Sequence, residues 1–434
     1  MGKPRLRDPL RRPPFRRLAL SYAVNEMGDW IGIVALSLLV FERTGSAMAT
    51  AALFIGVGFL PALMTPFFVA RMERPPPRVA LPAIYAAEAA AFGALALLAG
   101  HFSLAAIVAI AAVDGALALT GKTLTRAITA VMLEPHGELR TGNAVLNIAF
   151  TGGAAIGPAL AGAAVAALGV QAALLLDAAS FYVIACIVLT ARPLPQAEPE
   201  EGNLREQVRA GIGYIRRNPT LRRLLAAEAG ALVFFSLVIP IEVIYVKQTL
   251  DAGDTGYGLM LGSWGAGMVL GSIAFAALRR ASLPALLFFS TVAIGTCYFG
   301  LAAAQTLALA CAASVLGGAG NGIQWVAVVS AVQELTSPGM QARVVGTLES
   351  SASATPGIGF VLGGLIASQW SPRAAFVVAG AGVMIIVLVS ALVLGRNWPL
   401  DRAEERPGNV DAAEEEIMVE LIPAEALPTP DRRF

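Results

Sequence analysis

The chain has 434 residues, of which 56% are hydrophobic and 14% charged, with a mean hydropathy of +0.69 and a formal net charge of +1. Soluble domains average about 45–50% apolar and about 25% charged residues, so a soluble globular protein is excluded, and the near-zero net charge gives no reason to expect a nucleic-acid partner. Apolar blocks of about 20 residues, long enough to cross the lipid bilayer, indicate a polytopic membrane protein.

The first sixteen residues are basic, and an apolar run follows them. The run is too long for a signal peptide and has no A-x-A-like exit, so we predict that it stays as the first membrane span. Hydrophobic runs predict twelve spans in total. They lie at 17–41, 47–70, 79–100, 103–125, 140–167, 170–191, 223–247, 256–278, 283–303, 305–333, 342–367 and 373–395.

Two polar segments separate or follow these spans. Residues 192–222 begin with a Pro/Glu linker, and apolar residues then recur at helical spacing from Leu204 to Ile215, opposite arginines. This pattern predicts an amphipathic helix on the membrane surface. The acidic, proline-containing residues 396–434 predict a disordered tail. The predicted domains are a basic tail (1–16), a six-helix bundle (17–191), a linker (192–222), a second six-helix bundle (223–395) and the acidic tail.

Basic residues predict the topology. If the N-terminus is cytoplasmic, all but three of the 31 Lys and Arg residues lie on the cytoplasmic side, and the exceptions are Arg43, Lys247 and Arg373. Such a bias predicts that both termini are cytoplasmic. The assignment counts as cytoplasmic both Lys122, near the end of the fourth span, and Arg126, just beyond that end.

An internal repeat relates the two sets of six spans. Residues 157–174 align with 359–376 at an offset of 202, and at the same offset Glu26 falls on Glu228. The fold class predicted is therefore an all-α membrane protein with twelve transmembrane helices in two parallel six-helix pseudo-repeats. Such halves place a substrate site near mid-membrane at their interface, where it opens to either side in turn.

Twelve spans, a six-plus-six repeat and a cytoplasmic middle linker resemble the major facilitator superfamily over about residues 15–395. The stretches 28–51 and 126–162 are similar to the first helix and turn, and to the fourth loop and fifth helix, of its drug-efflux and enterobactin-exporter-like branch. The resemblance implies the major facilitator fold and transport of a small molecule.

The fifth span carries a motif of small residues. Gly153, Gly157, Pro158 and Gly162 resemble the family's antiporter motif G-x-x-x-G-P-x-x-G-G, with Ala161 in place of one glycine. Small residues four apart let two helices approach closely, and proline bends a helix. The resemblance implies export by antiport, and the alternative is that the motif only allows helix packing.

The loop after the second span resembles the family's cytoplasmic gate signature G-x-x-x-D-R-x-x-R at Arg71 and Arg74. Pro66 stands at the glycine and Ala70 at the aspartate, which in the family helps to hold the outward-facing state, so the signature is incomplete. The fourth span has no match for the family's buried arginine, and Asp114 occupies that region instead.

Two carboxylates lie inside the first span, which lines the central cavity in this family. Glu26 and Asp29 share a helix face, and Asn25 is on the same stripe. A carboxylate near mid-membrane costs about 2.5–3.5 kcal/mol or more, so it needs a water-filled cavity or a partner. Either these acids couple transport to protons or substrate, or they hold the first span to the fifth through Asn143 or Asn147.

Four further acids lie inside predicted spans. Asp114 is in the fourth span, a cavity helix in the family, and Glu242 is near the outer end of the seventh. Both are candidates for the substrate cavity. Glu88 and Asp177 fall on the third and sixth helices, which are peripheral in the family's fold, so we expect structural roles for them.

Three polar residues of the second half have two interpretations each. Glu228 is either a cavity residue or the partner of Arg222 and Arg223 in an interfacial ion pair. Asn321 and Gln324 in the tenth span either contact substrate or bridge helices. Neither histidine has metal-ligand spacing around it and no phosphate-binding loop occurs, so we expect no metal and no cofactor.

These features predict a secondary active transporter, and no enzyme, that exports an amphipathic small molecule of the drug or siderophore class in exchange for protons. The alternative is a transport-dead relative that acts as a membrane interaction or sensing protein, which the incomplete gate signature favours. An ATP-driven pump would need a partner chain. We expect a monomer in a bacterial inner membrane.

Overall fold

Most of the chain that the structure, a computed structural model, describes is helical, with short turns between helices, and no β-strand occurs in the described residues. The described residues are 7–72, 74–190, 194–195, 204–278, 281–337, 340, 344, 347–348, 352 and 355–394. The acidic tail predicted at 396–434 lies outside them.

The α-helices of the described residues are numbered in chain order. They are α1 (Pro13–Thr44), α2 (Ala47–Phe54), α3 (Leu60–Met72), α4 (Pro77–Gly100), α5 (Leu104–Leu133), α6 (Leu139–Leu168), α7 (Val170–Thr190), α8 (Leu204–Arg217), α9 (Pro219–Leu237), α10 (Glu242–Ile244), α11 (Gly253–Ala277), α12 (Leu283–Ala303), α13 (Leu307–Glu334), α14 (Pro356–Gln369) and α15 (Pro372–Leu394). We call α1–α7 the N-terminal helices and α9–α15 the C-terminal helices.

Eleven helical segments of the described residues are long and apolar enough to cross a membrane. They correspond to eleven of the twelve predicted spans. The remaining span, predicted at 342–367, falls partly outside the described residues, and its described part is the apolar helix α14 of 14 residues. A total of twelve crossing helices therefore stays a prediction.

Two of the crossing segments are interrupted. The π-helical turn Ile55–Phe59 joins α2 to α3. The segment that begins with α9 passes through a 3₁₀ turn at Ile239–Ile241 before α10, and Pro240 there has no N–H to continue the α-helical hydrogen bonds. Glu242 follows directly after that turn, so the break sets the direction of its side chain.

The amphipathic helix predicted between the two sets of spans is present as α8. Its residue Tyr214 accepts a hydrogen bond at its hydroxyl from the backbone N–H of Ser337 at 3.0 Å. Asn218 then caps α9, because its side-chain oxygen accepts from the backbone N–H of Leu221 at 3.1 Å. These contacts attach α8 to the C-terminal helices, and its position on a membrane surface stays a prediction.

Glycines bring α11 close to helices on two sides. A Cβ atom built on Gly162 of α6 would lie 2.7 Å from the carbonyl oxygen of Asp254 and 3.0 Å from Cα of Gly258. On the other side of α11, a Cβ on Gly267 would lie 3.0 Å from Cα of Gly318 in α13. Backbones at such distances leave no room for larger residues. The contact between α6 and α11 therefore joins the N-terminal to the C-terminal helices.

Candidate transport site

The two carboxylates of α1 share one cation, Lys122 of α5. Its Nζ lies 3.0 Å from Oε1 of Glu26 and 2.9 Å from Oδ2 of Asp29. Asn25 donates from Nδ2 to the same Asp29 oxygen at 3.2 Å. The side chain of Glu26 is 2% exposed and that of Asp29 is 18% exposed. Lys122 is thus the ion-pair partner of both acids, whereas the structural alternative predicted from the sequence gave that role to Asn143 or Asn147.

Lys122 lies further from the end of its helix than the predicted end of the fourth span at 125 indicates. The sequence KTLTR at 122–126 reads as the polar end of a span, but α5 continues to Leu133, and Leu124, Ile128 and Leu133 extend its buried apolar face. Lys122 is consequently well inside the helix, and Arg126 lies one turn further on. Two carboxylates near mid-membrane need a cation close to them, and this requirement is the signal that could have identified Lys122.

Three more acids lie near this ion-paired group. Glu88 of α4 and Asp177 of α7 are fully buried, and the structural roles expected for them stay a prediction. Asp114 of α5 has a buried Oδ1 atom. All three interact electrostatically with Asp29. Four carboxylate oxygens of these acids have no hydrogen-bond partner among the described residues. They are both oxygens of Glu88, Oδ1 of Asp114 and Oδ2 of Asp177.

Glycines in α1 make room for one of these acids. A Cβ atom on Gly32 would lie 3.3 Å from Oδ2 of Asp177, and one on Gly28 would collide with its Oδ1. Ser180 donates to Oδ1 of Asp177 at 3.2 Å. The missing side chains at positions 28 and 32 therefore let a carboxylate of α7 reach the backbone of α1, beside Asp29.

The antiporter-like motif of α6 packs against both sets of helices. A Cβ on Gly153 would lie 3.1 Å from Cβ of Glu26, and one on Gly157 would lie 2.8 Å from Cβ of Trp30. The backbone carbonyl of Pro158, inside α6, contacts Gly258 of α11, as Gly162 does. The motif thus connects the helix that carries Glu26 and Asp29 to the C-terminal helices. The structure brings its four predicted residues into this one contact region.

A cavity of about 260 Å³ lies between the N-terminal and C-terminal helices. We call it the central cavity. Its lining includes Trp30 of α1, Glu242 of α10, Trp264 of α11 and Asn321 of α13. Glu242 was predicted as a cavity residue, and Asn321 was predicted either to contact substrate or to bridge helices. Both residues line this cavity. Aromatic rings with a few polar groups in a concave surface are typical of small-molecule sites.

Glu228 and Gln324 lie together in the C-terminal helices. Nε2 of Gln324 donates to Oε2 of Glu228 at 3.3 Å, and both residues are buried. The alternative of an ion pair between Glu228 and Arg222 or Arg223 is wrong, because Glu228 forms no ion pair with a described residue and Arg222 donates to the backbone of Arg216. The pair borders a second cavity of about 310 Å³.

The residues of the incomplete gate signature lie at the surface. Arg71 lies in the last turn of α3 and is exposed, as is Arg74 in the following loop, and neither forms an ion pair with a described residue. Pro66 lies inside α3. A gate at Arg71 and Arg74 stays a prediction.

An ion-paired group at the opposite end of α1 was not predicted. Nζ of Lys247 lies 2.6 Å from Oε1 of Glu42 in α1 and 2.5 Å from Oδ1 of Asp254 in α11. Tyr257 of α11 also hydrogen-bonds Ser37 of α1. In the sequence, Lys247 stands out only as an exception to the charge bias. A basic residue outside the cytoplasmic side is the signal that could have identified this contact.

Comparisons with known proteins agree with this architecture. The family model described as transmembrane secretion effector matches residues 7–419. The multidrug efflux pump Tap of Mycolicibacterium fortuitum is 25% identical over 410 residues, which cover 91% of this chain and 99% of Tap. The uncharacterized MFS-type transporter YfiS of Bacillus subtilis (strain 168) is 23% identical over 278 residues, 60% of this chain and 65% of YfiS.

Two solved structures have the same fold at low sequence identity. The nucleoside transporter NupG superposes with a TM-score of 0.69 at 13% identity, over 87% of this chain and 98% of NupG. A bacterial homologue of the human lysosomal transporter Spinster, inward-facing and occupied, superposes with a TM-score of 0.68 at 12% identity, over 89% of this chain and 97% of that one. The chain therefore belongs to the transmembrane secretion effector family, in the drug-efflux branch of the major facilitator superfamily of membrane transporters.

Proposed function

We propose that this protein is a secondary active transporter that exports an amphipathic small molecule in exchange for protons. The observation that carries the proposal is the group of five acids around Lys122, in which one lysine bridges Glu26 and Asp29. It acts by binding and conformational change, with no enzymatic step.

The coupling to protons follows from the cost of charge inside a membrane. Glu88, Asp114 and Asp177 add three acids to the two that Lys122 pairs, and no other cation forms an ion pair with any of them among the described residues. Unpaired ionised carboxylates in an apolar bundle are too costly to persist, so the group holds protons. Asp29 is the more exposed of the paired acids and is the one from which a proton can leave to water.

The substrate class follows from the central cavity. Trp30 and Trp264 offer flat apolar surfaces, and Glu242 offers a carboxylate beside them. Aromatic faces and a carboxylate attract organic cations. The name of the relative Tap, a multidrug efflux pump, agrees with an amphipathic substrate. We therefore infer an amphipathic substrate, most favourably a cation.

Alternating access requires two halves that move against each other. Two hydrogen bonds at equivalent positions support a division of the chain into two such halves. Arg43 donates to the carbonyl of Ala99, and Tyr245 donates to the carbonyl of Leu301, each across 56 residues. Both members of the second bond lie 202 positions after those of the first, which is the offset of the predicted repeat. We infer that residues 17–191 and 223–395 are two six-helix pseudo-repeats joined by a linker.

The contacts of Lys247 with Glu42 and Asp254 support a state that is closed at the Thr44 end of α1. With both termini in the cytoplasm, as the basic residues predict, that end faces outward. The proposed location is a bacterial inner membrane, and the proposed working unit is a monomer.

The test is transport in proteoliposomes with an imposed pH gradient and a lipophilic cationic dye. We expect dye movement that requires the gradient, is lost in Asp29→Asn and is kept in Glu134→Gln, a matched control at an exposed acid in the turn that follows α5. Gradient-driven movement that survives in Asp29→Asn would move the coupling role to Glu26 or Asp114. If no dye moves and no candidate ligand releases protons on binding, the transport-dead alternative is favoured.

A further inference from the structure

A cavity of about 310 Å³ lies wholly among the C-terminal helices, between α9, α12, α13 and α15. We call it the lateral cavity. Its walls are mostly apolar, and its polar groups include the carboxylate of Glu228 and the amide of Gln324. It is separate from the central cavity, which has residues of the N-terminal helices in its lining. Its volume is at the lower end of the range of small-molecule sites.

The acid of the lateral cavity has no charged partner among the described residues. Glu228 is 7% exposed, and its Oε2 atom accepts one hydrogen bond, from Gln324 at 3.3 Å. Among the described residues no Lys or Arg forms an ion pair with it, in contrast to Glu26 and Asp29, which share Lys122. A buried carboxylate on an apolar wall, with only an amide beside it, holds a proton while the cavity is empty, and an organic cation that enters supplies the charged partner that stabilises its ionised form.

The lateral cavity opens at the outer surface of the helices. Phe288 of α12 and Ala391 of α15 line it and are exposed. The neighbouring Phe289 and Leu388 are 69% and 61% exposed, as expected of side chains that face lipid. Because the surface around the opening is apolar, a ligand that reaches it comes from the lipid rather than from water.

A small cavity of about 40 Å³ lies between the lateral and central cavities. It shares Glu228 and Gln324 with the lateral cavity and Phe235 and Asn321 with the central cavity. The three cavities thus form a series, and the hydrogen bond between Glu228 and Gln324 lies at the narrow step between them.

We propose that the lateral cavity is a second binding site, which takes a monovalent organic cation with an apolar body from the membrane and holds its charge at Glu228. The geometry further assigns the pair Glu228–Gln324 as the barrier that such a cation passes on its way to the central cavity. Passage rests on the proposed export function, whereas binding at the lateral cavity does not.

The test is equilibrium binding of radiolabelled tetraphenylphosphonium to the full-length protein in nanodiscs. We expect two binding equivalents for the wild type. Glu228→Gln should remove one equivalent, because it removes the carboxylate that holds the cation. Ala227→Trp should also remove one equivalent, because Ala227 lines the lateral cavity and neither of the other two cavities. Ala226→Trp, the exposed neighbouring position, is the matched control and should keep both.

Thermal unfolding of each variant separates loss of a site from loss of the fold. If Glu228→Gln and Ala227→Trp unfold like Ala226→Trp and still bind two equivalents, the second site is wrong. It is also wrong if native mass spectrometry finds a phospholipid at this position that tetraphenylphosphonium does not displace. If Asp29→Asn loses gradient-driven transport but still binds two equivalents, the result supports the lateral cavity as a binding site that does not depend on transport. If the wild type binds two equivalents but transports no dye, the result contradicts the proposed export function and leaves the lateral site standing.

Discussion

The Nζ atom of Lys122 lies 2.9 Å from Oδ2 of Asp29 and so joins the middle of α5 to the middle of α1. The same nitrogen contacts Glu26, and three further acids from α4, α5 and α7 lie within electrostatic reach of Asp29. A bridge between two helices of the N-terminal set thereby depends on how many of these acids carry a proton. In the proposed mechanism, a proton taken up by one of the paired acids weakens this bridge and so changes helix packing.

Replacement of Lys122 by methionine should therefore abolish coupling. It leaves Glu26 and Asp29 without a cation, and removing one partner of a buried ion pair costs about 3–5 kcal/mol. We expect gradient-driven dye transport to fall at least tenfold and the free energy of unfolding to fall at pH 8. Lys122→Arg is the control and should retain most of the stability. Equal stability of Lys122→Met and wild type at pH 8 would contradict the bridge.

Helix positions could be predicted from local patterns in the sequence. The span predicted at 283–303 is observed as Leu283–Ala303, and the span predicted at 170–191 as Val170–Thr190. In both cases an apolar run is bounded by Gly, Ser, Thr or Pro, which mark where a helix begins or ends. The acids Glu26 and Asp29 were also identifiable, because a charge inside such a run is unusual on its own.

The partners of those acids could not be predicted in the same way. Lys122 and Arg126 follow a long apolar run, so the hydropathy pattern ends the predicted span at 125. Tertiary packing continues α5 for about two further turns, to Leu133. The approach of Asp177 to α1 depends on the absence of side chains at Gly28 and Gly32. Such contacts arise from tertiary packing between distant segments, on which periodicity within one helix carries no information.

The glycine motif of α6 makes a second prediction. Gly162→Ala places a Cβ atom 2.7 Å from the carbonyl oxygen of Asp254, so α6 and α11 must separate. We expect the free energy of unfolding to fall by about 1–3 kcal/mol, as for other overpacked sites. The control is Gly152→Ala on the same helix, where a Cβ meets nothing within 4 Å. That change should be neutral or stabilising, by up to about 1 kcal/mol. Thermal unfolding of the two purified variants would contradict the contact if they behave alike.

The ion pairs of Lys247 make a third prediction. Lys247→Gln removes the cation that links Glu42 of α1 to Asp254 of α11, so the Thr44 end should open more often. Exposed or half-buried ion pairs contribute up to about 1 kcal/mol each. We therefore expect labelling of the buried residue Ser37, changed to cysteine, by a membrane-impermeant maleimide to become several-fold faster. Lys247→Arg in the same background should leave the rate nearly unchanged. A rate that is equal in all three proteins would show that these ion pairs do not hold this end closed.

The final prediction concerns pH and the pair formed by Arg12 and Glu138, which precede α1 and α6. Nε of Arg12 donates to Oε2 of Glu138 at 2.9 Å, and this hydrogen bond lowers the pKa of Glu138 below its ordinary value. A lowered pKa in the folded state means that the pair stabilises the fold above the unfolded-state pKa of about 4.3. That contribution disappears as the pH falls through the lower folded-state pKa.

Glu138→Gln should thus lower the melting temperature at pH 7 and have progressively less effect below pH 4. Thermal unfolding of wild type and variant across pH 3–8 measures the difference, with Glu134→Gln as the control, since Glu134 lies in the same connection and forms no ion pair with a described residue. A difference that stays constant from pH 7 to pH 3 would mean that Glu138 stabilises the start of α6 by packing rather than through its charge.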